Sequence, residues 1–331
     1  MTSIPDLVER ALTLDKYAVS RLIGIFEDRR PDASARRSSV LAELDTRRPD
    51  RPLGVILGVT GTPGSGKSSL LSRVAVDLLG SSETLSIAVV AVDPSSQVSG
   101  GALLGDRTRM RFVPDERRLF FRSQASDNDL GGLGPTSFQV CRLLVRLFDC
   151  VFIETVGIGQ SEADIRQLAD RVYLVLQPLG GDEVQFLKAG IIEIPDAFVL
   201  NKSDEPASDI SFHQLQGSMW LARPFDAEFP PVFRTSALTG DGLGELEADM
   251  LGALAAAVDS TASAGAAVVA QNLSTREPYF LERWVDDEWG RRGVAFLHDL
   301  LGGPDEFLST VGGFDAALDR FDETFAESLS L

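Results

Sequence analysis

Gly61, Gly66, Lys67 and Ser68 stand at the spacing G-x-x-x-x-G-K-[ST] within the run Gly61-Thr62-Pro63-Gly64-Ser65-Gly66-Lys67-Ser68, and Ser69 follows directly. That spacing suits a backbone wrapped around phosphate. Glycines at 64 and 66 let main-chain N–H groups turn inward, Lys67 brings positive charge to β and γ phosphates, and Ser68 offers a hydroxyl to Mg²⁺. The context agrees: residues 53–60 form an apolar strand pattern, and 69–79 form an amphipathic helix whose amino end adds the positive pole of its dipole. The whole stretch from Gly61 to Ser69 is expected to cradle the phosphates of a nucleotide.

The base is addressed by a second motif, Asn201-Lys202-Ser203-Asp204, which follows the short apolar run 197–200. A carboxylate at 204 can accept from both the N1–H and the exocyclic amine of guanine. Adenine offers no such pair of donors, and each buried polar group left unpaired costs about 1–3 kcal/mol. Guanine is therefore the expected base, held by Asn201, Lys202 and Asp204. A later strand pattern ends in Ser236-Ala237-Leu238 ahead of Thr239-Gly240 and matches the loop that closes over the base in GTPases.

Two carboxylate-bearing stretches complete the candidate chemistry. Val151-Phe152-Ile153 lead into Glu154, with Gly157 three residues on, where GTPases carry a carboxylate near the metal and a glycine near the γ-phosphate. An acid at the end of so apolar a strand is expected to be paired, and a metal-site role fits it. Asp93 ends another strand pattern beside the phosphates, and Asp106 and Arg107 lie further along a glycine-containing loop of the kind that responds to loss of the γ-phosphate. GTP and GDP are the expected ligands, with Mg²⁺ as cofactor.

The elements that must position these residues are legible as short Val/Ile/Phe-rich runs alternating with helix-length amphipathic segments, the pattern of βα repeats around a buried parallel sheet. Strands are expected at 53–60, 87–93, 119–123, 150–155, 172–177, 197–201 and 232–236. Ligands of such sheets gather at the carboxyl ends of the strands. Two helices are expected ahead of the sheet, over 5–29 and 33–46. After it, Trp284, Trp289, Phe296, Leu297, Leu300, Phe307 and Phe314 give helices broken at Gly302-Gly303-Pro304. The expected organisation is a helical extension over 1–50, a nucleotide-binding domain over 51–260 and a helical tail over 261–331.

Composition narrows the partners. Thirty-one basic residues against forty-nine acidic ones leave a formal charge of −18, which repels nucleic acid and anionic lipid. No long apolar segment and no signal-peptide pattern is present, so neither membrane spanning nor membrane binding is expected. Cys141 and Cys150 are the only cysteines and His213 and His298 the only histidines, too few and too scattered for a disulfide framework or a zinc cluster. A cytoplasmic, reducing environment is expected.

Taken in order, GTPGSGKS, AVDPSS followed by GGALLGDRTRM, Leu130-Gly131-Gly132, ETVGIGQSE, GDEVQFLKAG and NKSD resemble the successive nucleotide and switch elements of the MeaB/ArgK-type G proteins. These are P-loop GTPases of the SIMIBI class that chaperone adenosylcobalamin-dependent acyl-CoA mutases. The resemblance spans roughly residues 53–244. It implies a mostly parallel α/β G domain with amino- and carboxyl-terminal helical extensions. It further implies Lys67, Asp93, Asp106 and Glu154 as the catalytic set, with Ser68, Asp93, Asp106 and Glu154 around the metal and hydrolytic water. Switch or partner-signalling roles are implied for Arg107, Gly157 and Gln160, and for Asp182, Glu183, Gln185 and Lys188 in a third switch. The implied partner is an adenosylcobalamin-dependent acyl-CoA mutase, methylmalonyl-CoA mutase or a relative, and the implied assembly is a homodimer. Three other readings are open: an ATP-dependent kinase, of the activity once attributed to ArgK-named relatives, a nickel-insertion GTPase, and a structural dimeric binding module that never hydrolyses.

Overall fold

The computed structural model describes residues 3–30, 32–94, 116–126, 133–155, 161–178, 195–222, 229–259 and 261–329. In chain order the first elements are α1 (Ile4–Ala11), α2 (Lys16–Phe26), α3 (Ala33–Arg47), β1 (Val55–Gly61), α4 (Lys67–Ser81), β2 (Ile87–Pro94), β3 (Leu119–Ser126), α5 (Pro135–Leu147) and β4 (Cys150–Thr155). They are followed by α6 (Ser161–Leu168), β5 (Arg171–Leu176), β6 (Ala197–Leu200), α7 (Ser208–Ala222), β7 (Val232–Arg234), α8 (Leu243–Asp259), α9 (Thr261–Leu300), α10 (Pro304–Val311) and α11 (Phe314–Leu329). Two compact units result: Val55–Leu133 with Phe148–Asp259, and Met1–Gly54 with Gly134–Leu147 and Ser260–Leu331.

The first unit is built on a seven-stranded sheet in the order β3-β2-β4-β1-β5-β6-β7, and every neighbouring pair is parallel. All seven expected strands form, with ends shifted by a few residues. Their continuous apolar runs follow from burial on both faces. On one face Leu57, Val59, Phe152, Tyr173 and Val175 pack with Leu70, Val74 and Leu78 of α4 and with Leu246 and Met250 of α8. Elsewhere Leu174, Leu176, Phe198 and Leu200 pack with Leu215 and Met219 of α7.

The amino ends of three strands share one device. An aspartate immediately before the strand accepts from the backbone N–H of a neighbouring strand segment, while its own N–H donates to that residue's carbonyl. Asp170 holds Ile56 in this way (2.8 Å for each bond), Asp196 holds Val172 (2.8 and 2.9 Å), and Asp149 holds Ser86 (2.8 and 3.1 Å). Each clasp satisfies a main-chain donor that the parallel ladder leaves over, and it pins the register.

The helical unit departs from the sequence expectation at its start. One helix was expected over 5–29, making two ahead of the sheet, whereas the structure has three, because α1 and α2 are separate. The spacing of apolar residues runs through the break, but Leu14 takes a left-handed backbone (φ 59°) and Asp15 caps α2 by accepting from the Ala18 N–H at 2.9 Å. Further on, α9 is interrupted at Gly290 (φ 61°, ψ −161°), and Pro304 opens α10 directly after Gly302 and Gly303. α4 begins at Lys67, two residues before the expected start, because left-handed Gly66 caps it.

Within this unit the Phe138 ring of α5 stacks on Phe280 of α9 at 4.5 Å and meets Phe314 of α11 edge-on at 5.1 Å. Beside these rings Asp315 is almost fully buried. Its carboxylate accepts from Arg37 Nε at 2.7 Å, from Arg142 Nη1 at 2.7 Å and from Gln139 Nε2 at 3.0 Å, joining α3, α5 and α11. Burial alone would raise the Asp315 carboxyl, but Arg142 and Arg37 outweigh it and hold it below the ordinary carboxylate range.

Asp315→Ala strips two guanidiniums of their buried carboxylate and is expected to destabilise the protein by about 3–5 kcal/mol at neutral pH. A carboxyl lowered on folding stabilises above its unfolded value, about pH 4, and loses that contribution as pH falls through the folded value. Urea unfolding followed by tryptophan fluorescence should therefore show the gap between parent and variant closing below about pH 4. A gap that persists undiminished in acid would refute the ionic account of this cluster.

Candidate functional site

The phosphate loop lies where the fold predicts, at the carboxyl edge of β1, which has β4 on one side and β5 on the other. β1 ends at Gly61, whose φ of 144° excludes most side chains and whose missing Cβ would fall on the Val175 carbonyl oxygen of β5. At Gly66 (φ 85°) a Cβ would stand 2.7 Å from Asn201 Nδ2. Glycine at both positions lets the backbone turn sharply against its neighbours.

Inside the loop the Lys67 side chain, 7% exposed, folds back so that Nζ donates to the carbonyls of Gly61 at 2.9 Å and Thr62 at 3.1 Å. The Ser65 N–H donates to the Thr62 carbonyl at 3.2 Å. Thr62 Oγ1 and Ser65 Oγ are buried and have no hydrogen-bond partner among the described residues. Buried hydroxyls left without a partner are rare in a loop so well ordered by its own backbone. The amino end of α4 begins here, and its apolar face, Leu70, Leu71, Val74 and Leu78, anchors the loop to the core.

Ser68 Oγ donates to Glu154 Oε1 at 2.7 Å, and Glu154 is 3% exposed. The register explains the meeting: Glu154 stands opposite Val59 of β1 and Ala91 of β2 in the middle of the sheet. Next to it Thr155 Oγ1 donates to Thr60 Oγ1 at 2.9 Å, a buried link between β4 and β1. The backbone of Asp93 lies in β2, and its side chain falls outside the described residues, as do Asp106, Arg107, Gly157, Gln160, Asp182, Glu183, Gln185 and Lys188.

Residues 201–204 form a second loop, after β6. Asn201 is 1% exposed, and its carboxamide is engaged at both ends: Nδ2 donates to the Ser65 carbonyl at 2.8 Å and Oδ1 accepts from the Ala237 N–H at 3.1 Å. Asn201 thus ties the phosphate loop to the Ser236-Ala237-Leu238 segment. Lys202 has a left-handed backbone (φ 60°), and its Nζ donates to Gln177 Oε1 at 2.7 Å. Asp204 is exposed and makes no hydrogen bond or ion pair among the described residues. Ser236 Oγ accepts from the Thr239 N–H at 3.1 Å, closing the turn that carries Leu238, 82% exposed. Gln177 was not anticipated from the sequence, where a glutamine after a strand carries no signal of its own.

Burial pushes the Cys150 thiol well above its ordinary range, so it stays neutral, and Cys141 is likewise buried. Among the described residues no group of three His, Cys, Asp or Glu forms a metal cage. No described helix is long and apolar enough to cross a membrane.

Residues 19–280 match the family model described as methylmalonyl Co-A mutase-associated GTPase MeaB. The GTPase ArgK of Escherichia coli is 33% identical over 249 residues, 74% of each chain. The mitochondrial methylmalonic aciduria type A homolog of Mus musculus is 38% identical over 209 residues, 62% of this chain and 50% of that one. The crystal structure of an LAO/AO transport system kinase shares the fold, with a TM-score of 0.61 at 22% identity over 98% of this chain and 97% of the other. With a phosphate loop at the carboxyl edge of the sheet, a family model matched over residues 19–280 and relatives of this kind, the chain belongs to the MeaB family of P-loop GTPases, which bind guanine nucleotide and hydrolyse GTP.

Proposed function

We propose that this GTPase acts as a chaperone of an adenosylcobalamin-dependent acyl-CoA mutase, gating cofactor loading or the release of damaged cofactor according to its nucleotide state. What carries the reading is the match of residues 19–280 to a family described by its association with methylmalonyl-CoA mutase. A mutase client, direct or related to that one, and a homodimeric assembly belong to this reading.

Within it, residues Gly61 to Ser69 hold the phosphates through backbone N–H groups and the Lys67 ammonium. Thr62 and Ser65 supply the hydroxyls left over in the loop. Ser68 and Glu154, hydrogen-bonded at 2.7 Å, form an all-oxygen pair that suits Mg²⁺ directly or through water, and Asp93 and Asp106 join it in the proposed set. The ion, when bound, neutralises charge on the β and γ phosphate oxygens. Asp204 accepts from guanine while Asn201 holds its loop against the phosphate loop. Hydrolysis rests on positioning and electrostatics, and turnover without a supplied arginine is about 10⁻⁴ to 10⁻² s⁻¹. Arg107, Gly157, Gln160, Asp182, Glu183, Gln185 and Lys188 report nucleotide state to the client. A coupling of roughly 1–3 kcal/mol between nucleotide state and the mutase's affinity for cofactor is enough for such gating.

Steady-state hydrolysis of GTP, with ATP as control, should be slow, specific for GTP and raised severalfold by an adenosylcobalamin-dependent acyl-CoA mutase from the same source. GTP turnover indifferent to the mutase would remove the client and leave the GTPase. Asp204→Asn turns an acceptor into a donor at the guanine N1–H and should weaken GTP while improving xanthine nucleotide binding. Unchanged affinities for both would withdraw the base assignment.

A further inference from the structure

We propose that Gln177 is a positioning residue for guanine-nucleotide binding, its side-chain carbonyl fixing the Lys202 ammonium beside the phosphate loop. This rests on the guanine reading of the 201–204 loop given above.

The placement follows from the sheet. Gln177 is the first residue after β5, and β5 lies between β1 and β6. It therefore emerges between the loop that follows β1 and the loop that follows β6. Its half-buried carboxamide borders both: Oε1 accepts from Lys202 Nζ at 2.7 Å, and a Cβ placed on Gly64 would lie 3.8 Å from its Nε2. Lys202 stands on a left-handed backbone, φ 60°, that few L residues adopt, directly after Asn201. A lysine side chain has much rotamer freedom to lose, and a neutral acceptor that holds it in place before the ligand arrives removes that loss from the cost of binding. A carbonyl does this without adding negative charge next to a phosphate site, which a carboxylate would do.

Gln177 acts through Lys202, whose ammonium its carbonyl holds, so its removal should weaken nucleotide binding and leave the chemical step alone. In Gln177→Leu the Kd for a fluorescent GTP analogue and the KM for GTP should rise about tenfold, the scale of one lost hydrogen bond to a charged group, with kcat held within about twofold. Gln177→Asn keeps a carboxamide but is one methylene too short, so it should resemble Gln177→Leu. The double variant Gln177→Leu/Lys202→Met should bind no more weakly than Lys202→Met alone.

The inference is overturned if either Gln177 variant keeps its Kd within about twofold of the parent, if kcat falls at unchanged Kd, or if the two substitutions add. Should Gln177→Leu fail to fold by its melting curve, Gln177→Asn carries the same test. Asp204→Asn run in parallel separates the two levels. A changed preference between GTP and xanthine nucleotide with no Gln177 effect ends this inference alone, and no effect from either ends the guanine reading as well.

Discussion

The site depends on one side chain that need not touch the reacting atoms. The Asn201 carboxamide spans from the Ser65 carbonyl to the Ala237 N–H, and through those two bonds it sets the distance between the phosphate loop and the 236–238 segment. Each loop has its own local reasons for its shape, glycine dihedrals in one and the Ser236 turn in the other. Neither determines where the other sits. A buried amide with a donor at one end and an acceptor at the other is suited to that task, because a displacement of either loop strands a polar atom away from water.

The helical unit is organised around an equally long-range polar contact. Arg37 and Asp315 are 278 residues apart, yet they meet at 2.7 Å, and Arg142 closes on the same carboxylate from α5. A buried charge cluster of this kind contributes little net stability against an apolar alternative but penalises any other arrangement of its three helices. It joins both ends of the chain to a helix that comes from the middle.

The phosphate loop and all seven strands were legible because their determinants are local: glycine at fixed offsets, apolar runs of strand length, turn residues at the ends. The break between α1 and α2 was not, since apolar spacing continues through it and the left-handed Leu14 has no compositional mark. Glu154 was singled out by its apolar approach, and the structure shows its contact with Ser68. The double engagement of Asn201, the Lys202–Gln177 bond and the grouping of α5 with the terminal helices depend on residues brought together only by the fold. No spacing rule reaches them.

The aspartate clasps at 149, 170 and 196 sit at the amino edge of the sheet, while the phosphate loop and the 201–204 loop sit at the carboxyl edge. Strand alignment is thus fixed at the end remote from the phosphate loop. The loops at the other edge are relieved of that duty, so their lengths and sequences can drift without shifting a strand. The price of such freedom falls on three carboxylates, where loss of one would misalign a strand however well the loops were made.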